Sequence, residues 1–168
     1  MCTGDDPERA QHPINCIEWS DAARFCEQLG KRLPTEAEWE LAARDKGGNY
    51  YPWGDEPPSA KRLNACGAEC VAWGKAHGET LIAMYSEDDG FATTAPVGTY
   101  AAEGEIADLA GNVWEWTANF YASYTKDAER DPRGPKVGKE RVIRGGAYNG
   151  SYPDWVRPSF RDHSVTAG

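Results

Sequence analysis

The chain has 168 residues, 40% of them hydrophobic and 27% charged, with a formal net charge of −9. These proportions fit a soluble globular protein of one domain, long enough to bury a real core. The acidic balance opposes nucleic-acid binding, which rests on clustered Lys and Arg facing phosphates, and no apolar run approaches the ~20 residues of a membrane span. Met1 opens straight into Cys-Thr-Gly-Asp-Asp, so no signal peptide is read and a soluble chain is expected.

In chain order, the first predicted helix is capped by Ser20 or Asp21. Its Ala22, Phe25, Cys26 and Leu29 form one apolar stripe expected to face the core, and Gly30 stops it. A second helix follows Pro34. Thr35 is its N-cap and Glu38 its third helical residue, a capping box. Trp39, Ala42 and Ala43 make its buried face, and Lys46-Gly47-Gly48 ends it. The acids in its first turn complement the helix dipole, so they need no catalytic explanation. From about Asn49 to Thr94 the pattern predicts long loops. Short strands are expected at Pro96–Tyr100 and Arg141–Ile143. With 18 glycines and 11 prolines spread along it, the chain reads as loop-rich.

Five cysteines occur, Cys2, Cys16, Cys26, Cys66 and Cys70, so at least one lacks an internal partner. Cys66 and Cys70 are close enough in sequence for a small disulfide, and two cysteines are too few for a structural zinc site. The pairing among Cys2, Cys16, Cys66 and Cys70 is left open. Cys26 is expected as a buried, unpaired thiol on the stripe of the first helix.

The densest information lies in Asp108-Leu-Ala-Gly111-Asn-Val113-Trp-Glu115-Trp-Thr117. Calcium wants several oxygens, from carboxylates and from backbone carbonyls. Asp108 and Glu115 offer the first kind, Gly111 and Val113 the second. The alternative is that two tryptophans with nearby acids merely tie a loop to the core.

Other stretches bear on that choice. His12-Pro-Ile-Asn-Cys-Ile-Glu-Trp-Ser-Asp-Ala22 leads into Arg32-Leu-Pro-Thr-Glu-Ala-Glu-Trp-Glu-Leu-Ala-Ala-Arg44. Tyr51-Pro-Trp-Gly-Asp-Glu56, Thr94-Ala-Pro-Val-Gly98 and Arg141-Val-Ile-Arg-Gly-Gly-Ala-Tyr148 follow. In order and spacing, from about His12 to Arg161, the chain resembles the formylglycine-generating enzymes, or sulfatase-modifying factors. That resemblance implies an α+β, C-type-lectin-like fold with two helices, a small twisted sheet and much irregular chain. It also implies a trimmed domain, since the family's opening strand region and closing Gly-Phe-Arg strand have no counterpart here. Unpaired edges would then favour self-association.

The resemblance carries two calcium sites onto this sequence. One falls on Asn64, Ala65, Asp89 and Phe91, the other on Asp108, Gly111, Val113 and Glu115. It also implies what is missing. The family's oxidases hold copper(I) between two cysteines, soft thiolates suited to that ion. Those positions fall here on Gly150 and near Pro153 or Asp154, and no cysteine lies beyond Cys70. Calcium without copper is therefore expected, and with it no oxidase chemistry. Two functions remain in view. One is a binding or accessory module taking a protein or peptide ligand at a cleft of Tyr148, Tyr152, Asp154, Trp155 and Arg157, aromatics and Arg being good anchors. The other is an enzyme of different chemistry, a metal-assisted hydrolase with Asp154 and His163 as catalytic candidates.

Overall fold

A computed structural model describes residues 2–44, 48–100 and 106–165. It holds helices α1 (Trp19–Gln28), α2 (Glu36–Arg44) and α3 (Ala68–Ala76) and strands β1 (Glu115–Phe120), β2 (Glu140–Arg144) and β3 (Asp162–Val165). Short 3-10 turns occur at Pro7–Arg9 and Pro153–Val156. The strands form one antiparallel sheet in the order β1-β2-β3. Trp116 faces Ile143 across β1 and β2, and Val142 faces His163 across β2 and β3.

The capping box forms as the sequence predicts. Glu38 N–H donates to Thr35 Oγ1 at 3.2 Å, and Thr35 N–H donates to Glu38 Oε2 at 2.8 Å. Arg32 grips the same carboxylate through two nitrogens, each at 2.7 Å. Together they hold the Glu38 carboxyl down at about 2, Arg32 contributing most. Trp39 and Ala43 are buried, but Ala42 is exposed, because it lines an open groove rather than the core. Residues 45–47, on which the predicted end of this helix partly falls, lie outside the described residues; Gly48 carries the positive φ of 67° that such an end needs.

α1 departs further from expectation. It starts at Trp19 after Glu18, with no side-chain cap, and Asp21 sits in its first turn, 2.6 Å from Arg24. Gly30 ends it at φ 68°, while Lys31 N–H returns to the Cys26 carbonyl. The stripe does not face the core: Phe25 is 63% and Leu29 57% exposed, and Cys26 is half-buried. No described segment lies over that face, so periodicity set its direction without supplying a cover.

Two secondary-structure readings are corrected. Pro96–Tyr100 is a turn, not a strand. The Asp108 carboxylate accepts from the Gly98 and Tyr100 N–H groups, which commits that backbone to a turn instead of a ladder. The loop region contains α3, whose apolar residues run around it instead of along one face, so no helical stripe announces it.

Loops build much of the core. Tyr51, Leu63, Ala65, Tyr85, Ala110 and Val156 pack together, with Trp53 stacked on Tyr51 at 5.0 Å. Cys66–Cys70 and Cys2–Cys16 form disulfides, and Cys26 is free. Arg144 crosses from β2 through the interior, fully buried, to reach Glu40 and the Pro158 and Phe160 carbonyls.

Candidate functional site

The Asp108–Thr117 segment bends so sharply that Asp108, Gly111 and Asn112 all adopt positive φ, at 60°, 76° and 60°. At Gly111 the reason is contact: a Cβ would collide with the Asn64 carbonyl. Asn112 is the clamp. Its N–H donates to the Asn64 carbonyl at 2.8 Å, and its own carbonyl accepts from Tyr148 N–H at 2.9 Å. Its side-chain amide takes Ala95 N–H at 3.0 Å and Asn64 Nδ2 at 3.3 Å, and donates to the Ala95 carbonyl at 3.2 Å. Sequence reasoning passed over Asn112. The one available signal was an Asn after a Gly inside a stretch too polar for its two tryptophans.

Three of the four residues of the second candidate calcium set, Asp108, Val113 and Glu115, line one small cavity of about 290 Å³. The fourth, Gly111, is tied to the Gly145 carbonyl through its N–H. Glu115 accepts from the Trp39 indole N–H, and its cross-strand neighbour Arg144 pairs with Glu36 and Glu40 instead. Burial pushes its carboxyl up to about 7, and the nearby Asp108 charge adds to that. A buried carboxylate facing another across a cavity, with no cation partner, is a site that a hard cation would satisfy.

Asn64, Ala65, Asp89 and Phe91 are gathered by Tyr85. Its hydroxyl lies 3.0 and 3.1 Å from the Leu63 and Ala65 carbonyls and 2.6 Å from Asp89 Oδ2. Phe91 N–H donates to Asp89 Oδ1 at 2.8 Å. Asn64 is wholly buried, and its Oδ1 has no hydrogen-bond partner. Burial raises the Asp89 carboxyl, and burial with the Asp89 carboxylate close by pushes the Tyr85 hydroxyl up. Among the described residues no three His, Cys, Asp or Glu converge. Any cation here would lean on amide and carbonyl oxygens, as calcium does and zinc does not.

The five residues expected to line one cleft are split. Tyr148 lines a cavity of about 720 Å³ with Leu33, Trp39, Leu109, Trp114 and Trp116. The Tyr152 and Trp155 rings meet at a tilt, 5.1 Å apart, and Trp155 stands 6.2 Å from Trp114. Asp154 pairs at the surface with Arg157, which covers the Tyr50 ring. His163 is elsewhere, on β3, 3.2 Å from Glu140 and against the Tyr121 ring. Among the described contacts, Asp154 and His163 have different partners. Gly150 is buried, and its carbonyl accepts from Cys66 N–H at 3.2 Å.

A family profile described as the sulfatase-modifying factor enzyme 1-like domain matches residues 2–167. The chain belongs to that family. Over 163 residues it is 40% identical to the formylglycine-generating enzyme of Streptomyces coelicolor, covering 94% of this chain and 49% of that one. It is 34% identical over 144 residues to the inactive C-alpha-formylglycine-generating enzyme 2 of Bos taurus, covering 84% and 40%. The structure of PvdO from Pseudomonas aeruginosa superposes with a TM-score of 0.70 at 23% identity, covering 94% of this chain and 57% of that one; this likeness bears on the fold alone. The chain spans about half the length of the curated relatives it matches. Its mixed helices and small antiparallel sheet are thus those of a sulfatase-modifying-factor domain, and no described helix is long and apolar enough to cross a membrane.

Proposed function

We propose that this is a sulfatase-modifying-factor domain of C-type-lectin-like type that binds calcium, lacks cysteine-oxidase chemistry and works as a binding or accessory module. The observation that carries the reading is the state of its sulfurs. Four of the five cysteines are in disulfides, and the one free thiol, Cys26, lies on α1, away from Gly150 and the 153–154 turn. A copper(I) centre needs a pair of thiolates, and the expected positions offer none. The donor set does fit calcium. Asp108 and Glu115 would contribute carboxylates, with the Gly111 and Val113 carbonyls completing the set. Asn64, Ala65, Asp89 and Phe91 would form the other site. Bound calcium would neutralise carboxylates that are otherwise held by hydrogen bonds alone.

The ligand is proposed to be a peptide or protein segment with apolar side chains. Support comes from the aromatic groove at Tyr148, Trp114 and Trp116, to which Tyr152 and Trp155 are adjacent. Self-association through β1 or β3, the two edges of the sheet, is the competing occupancy.

The test is direct. A cysteine peptide of the sulfatase type is incubated with the protein, copper and reductant and followed by mass spectrometry. No loss of the thiol is expected, and robust conversion to formylglycine would overturn the reading. In parallel, melting is compared in calcium and in chelator. An unchanged transition, with no metal in the purified protein, would defeat the calcium part.

A further inference from the structure

Glu69 has a carboxylate that the fold does not explain. It stands in the first turn of α3, inside the loop closed by the Cys66–Cys70 disulfide. Its Oε1 is shut off from solvent with no hydrogen-bond partner, and its Oε2 accepts Asp89 N–H at 3.3 Å. The Glu69 and Asp89 side chains lie against each other, and the groups that most perturb them include no basic residue. Room for this carboxylate is made by Gly67, where a Cβ would fall 2.8 and 2.9 Å from its two oxygens.

A second, independent observation comes from Asn64. It is wholly buried, and its Oδ1 is also without a partner, while its Nδ2 is held by the Thr93 carbonyl at 2.8 Å. The carbonyls on either side of it meet the same Tyr85 hydroxyl that binds Asp89. Two half-buried carboxylates, one oxygen of Glu69 without a donor, and the unpartnered amide oxygen of Asn64 match the preference of a hard divalent cation.

We propose that Glu69 is a direct ligand of the cation held at the Asn64–Asp89 site. It gives that site a second carboxylate, supplied by the disulfide-closed loop. This rests on the calcium reading above and deepens it. A second carboxylate should make this site bind a divalent ion more tightly than Asp89 alone would, because affinity follows the ligand charge. The competing arrangement is a proton shared between Glu69 and Asp89.

The experiment is a calcium titration of the whole, chelator-stripped chain against a competing calcium indicator. Wild type, Glu69→Gln and Asp108→Asn are compared, with circular dichroism as the check on folding. Wild type is expected to bind two ions. Glu69→Gln should weaken one of them by about tenfold or more and leave the other unchanged, while Asp108→Asn should weaken the other. Wild-type affinities in folded Glu69→Gln overturn the assignment and leave the calcium reading standing. The same affinities with higher stability in chelator also overturn it, and identify the shared proton. No calcium bound by wild type overturns both. If Glu69→Gln does not fold, Glu69→Asp carries the test: it keeps the charge but withdraws it by one methylene, so a weakened site supports the assignment and an unchanged one overturns it.

Discussion

α1 and α2 are neighbours of similar length that are seated in opposite ways. α2 is locked by polar handles. Glu36 takes Arg161 through two bonds of 2.7 Å and lies 3.4 Å from Arg144; Glu40 takes Arg144; Trp39 donates to Glu115. α1 is held at one end, where the Trp19 indole donates to the Thr117 carbonyl at 2.8 Å and the Arg141 guanidinium lies 3.6 Å over its ring. Its apolar residues Phe25 and Leu29 stay in water. A stripe on a helical wheel shows which face is apolar, not whether anything covers it. Buried charge, by contrast, is committed to a partner and fixes the helix that carries it.

The sharpest way to break this contrast is Arg144→Met. Removing a wholly buried guanidinium takes one partner each from Glu36 and Glu40, which keep Arg161 and Arg44, and leaves the Pro158 and Phe160 carbonyls without that donor; a loss of about 3 kcal/mol is expected by chemical denaturation. A loss under 1 kcal/mol would mean that α2 is held by packing alone.

Next comes calcium, because Trp39 ties α2 to Glu115. Filling the Asp108–Glu115 site at 100 times its dissociation constant should add about 2.7 kcal/mol to stability by linkage. Asp108→Ala should remove most of that gain in thermal melting, and a full gain retained in the variant would dissociate α2 from the site.

For α1, Trp19→Phe keeps an aromatic ring, though a smaller one, and loses the bond to Thr117. A cost of about 1 kcal/mol is expected, and no cost would show that this anchor is idle.

A fourth measurement separates the cap of α2 from its buried pairs. The Glu38 carboxyl is held at about 2 in the fold against an ordinary 4.5. Its contribution is therefore present above pH 4.5 and is lost as pH falls through 2. The stability difference between wild type and Glu38→Gln should close across that window. Glu38 is largely exposed, so the difference is small at any pH.

Smallest of all, Phe25→Ser and Leu29→Gln should each change stability by no more than about 0.5 kcal/mol. A larger loss would show that the α1 face is covered in solution.

What was legible in the sequence follows the same physics. The capping box of α2 was readable because its bonds are local, three residues apart. β2 was readable from its β-branched pair Val142-Ile143, and the family from motifs whose spacing survives. α3 was not readable, because no apolar stripe marks it. The strand expected at Pro96–Tyr100 failed on a carboxylate, Asp108, arriving from ten residues away. Of the candidate site, the sequence supplied Asp108, Val113 and Glu115, which do share a cavity. It did not supply Glu69 or Asn112, whose meaning comes only from partners far along the chain.

Asn112 has a further consequence, for the time the chain takes to fold. Its amide joins Ala95 across 17 residues and Asn64 across 48. None of those bonds can form in a locally folded piece. The loops must close first, at an entropic cost that nothing nearby offsets. The helices can flicker in and out early, on their own caps. The knot of loops around Asn112 must wait for the chain ends of three segments to meet, and it sets the pace for everything built on it.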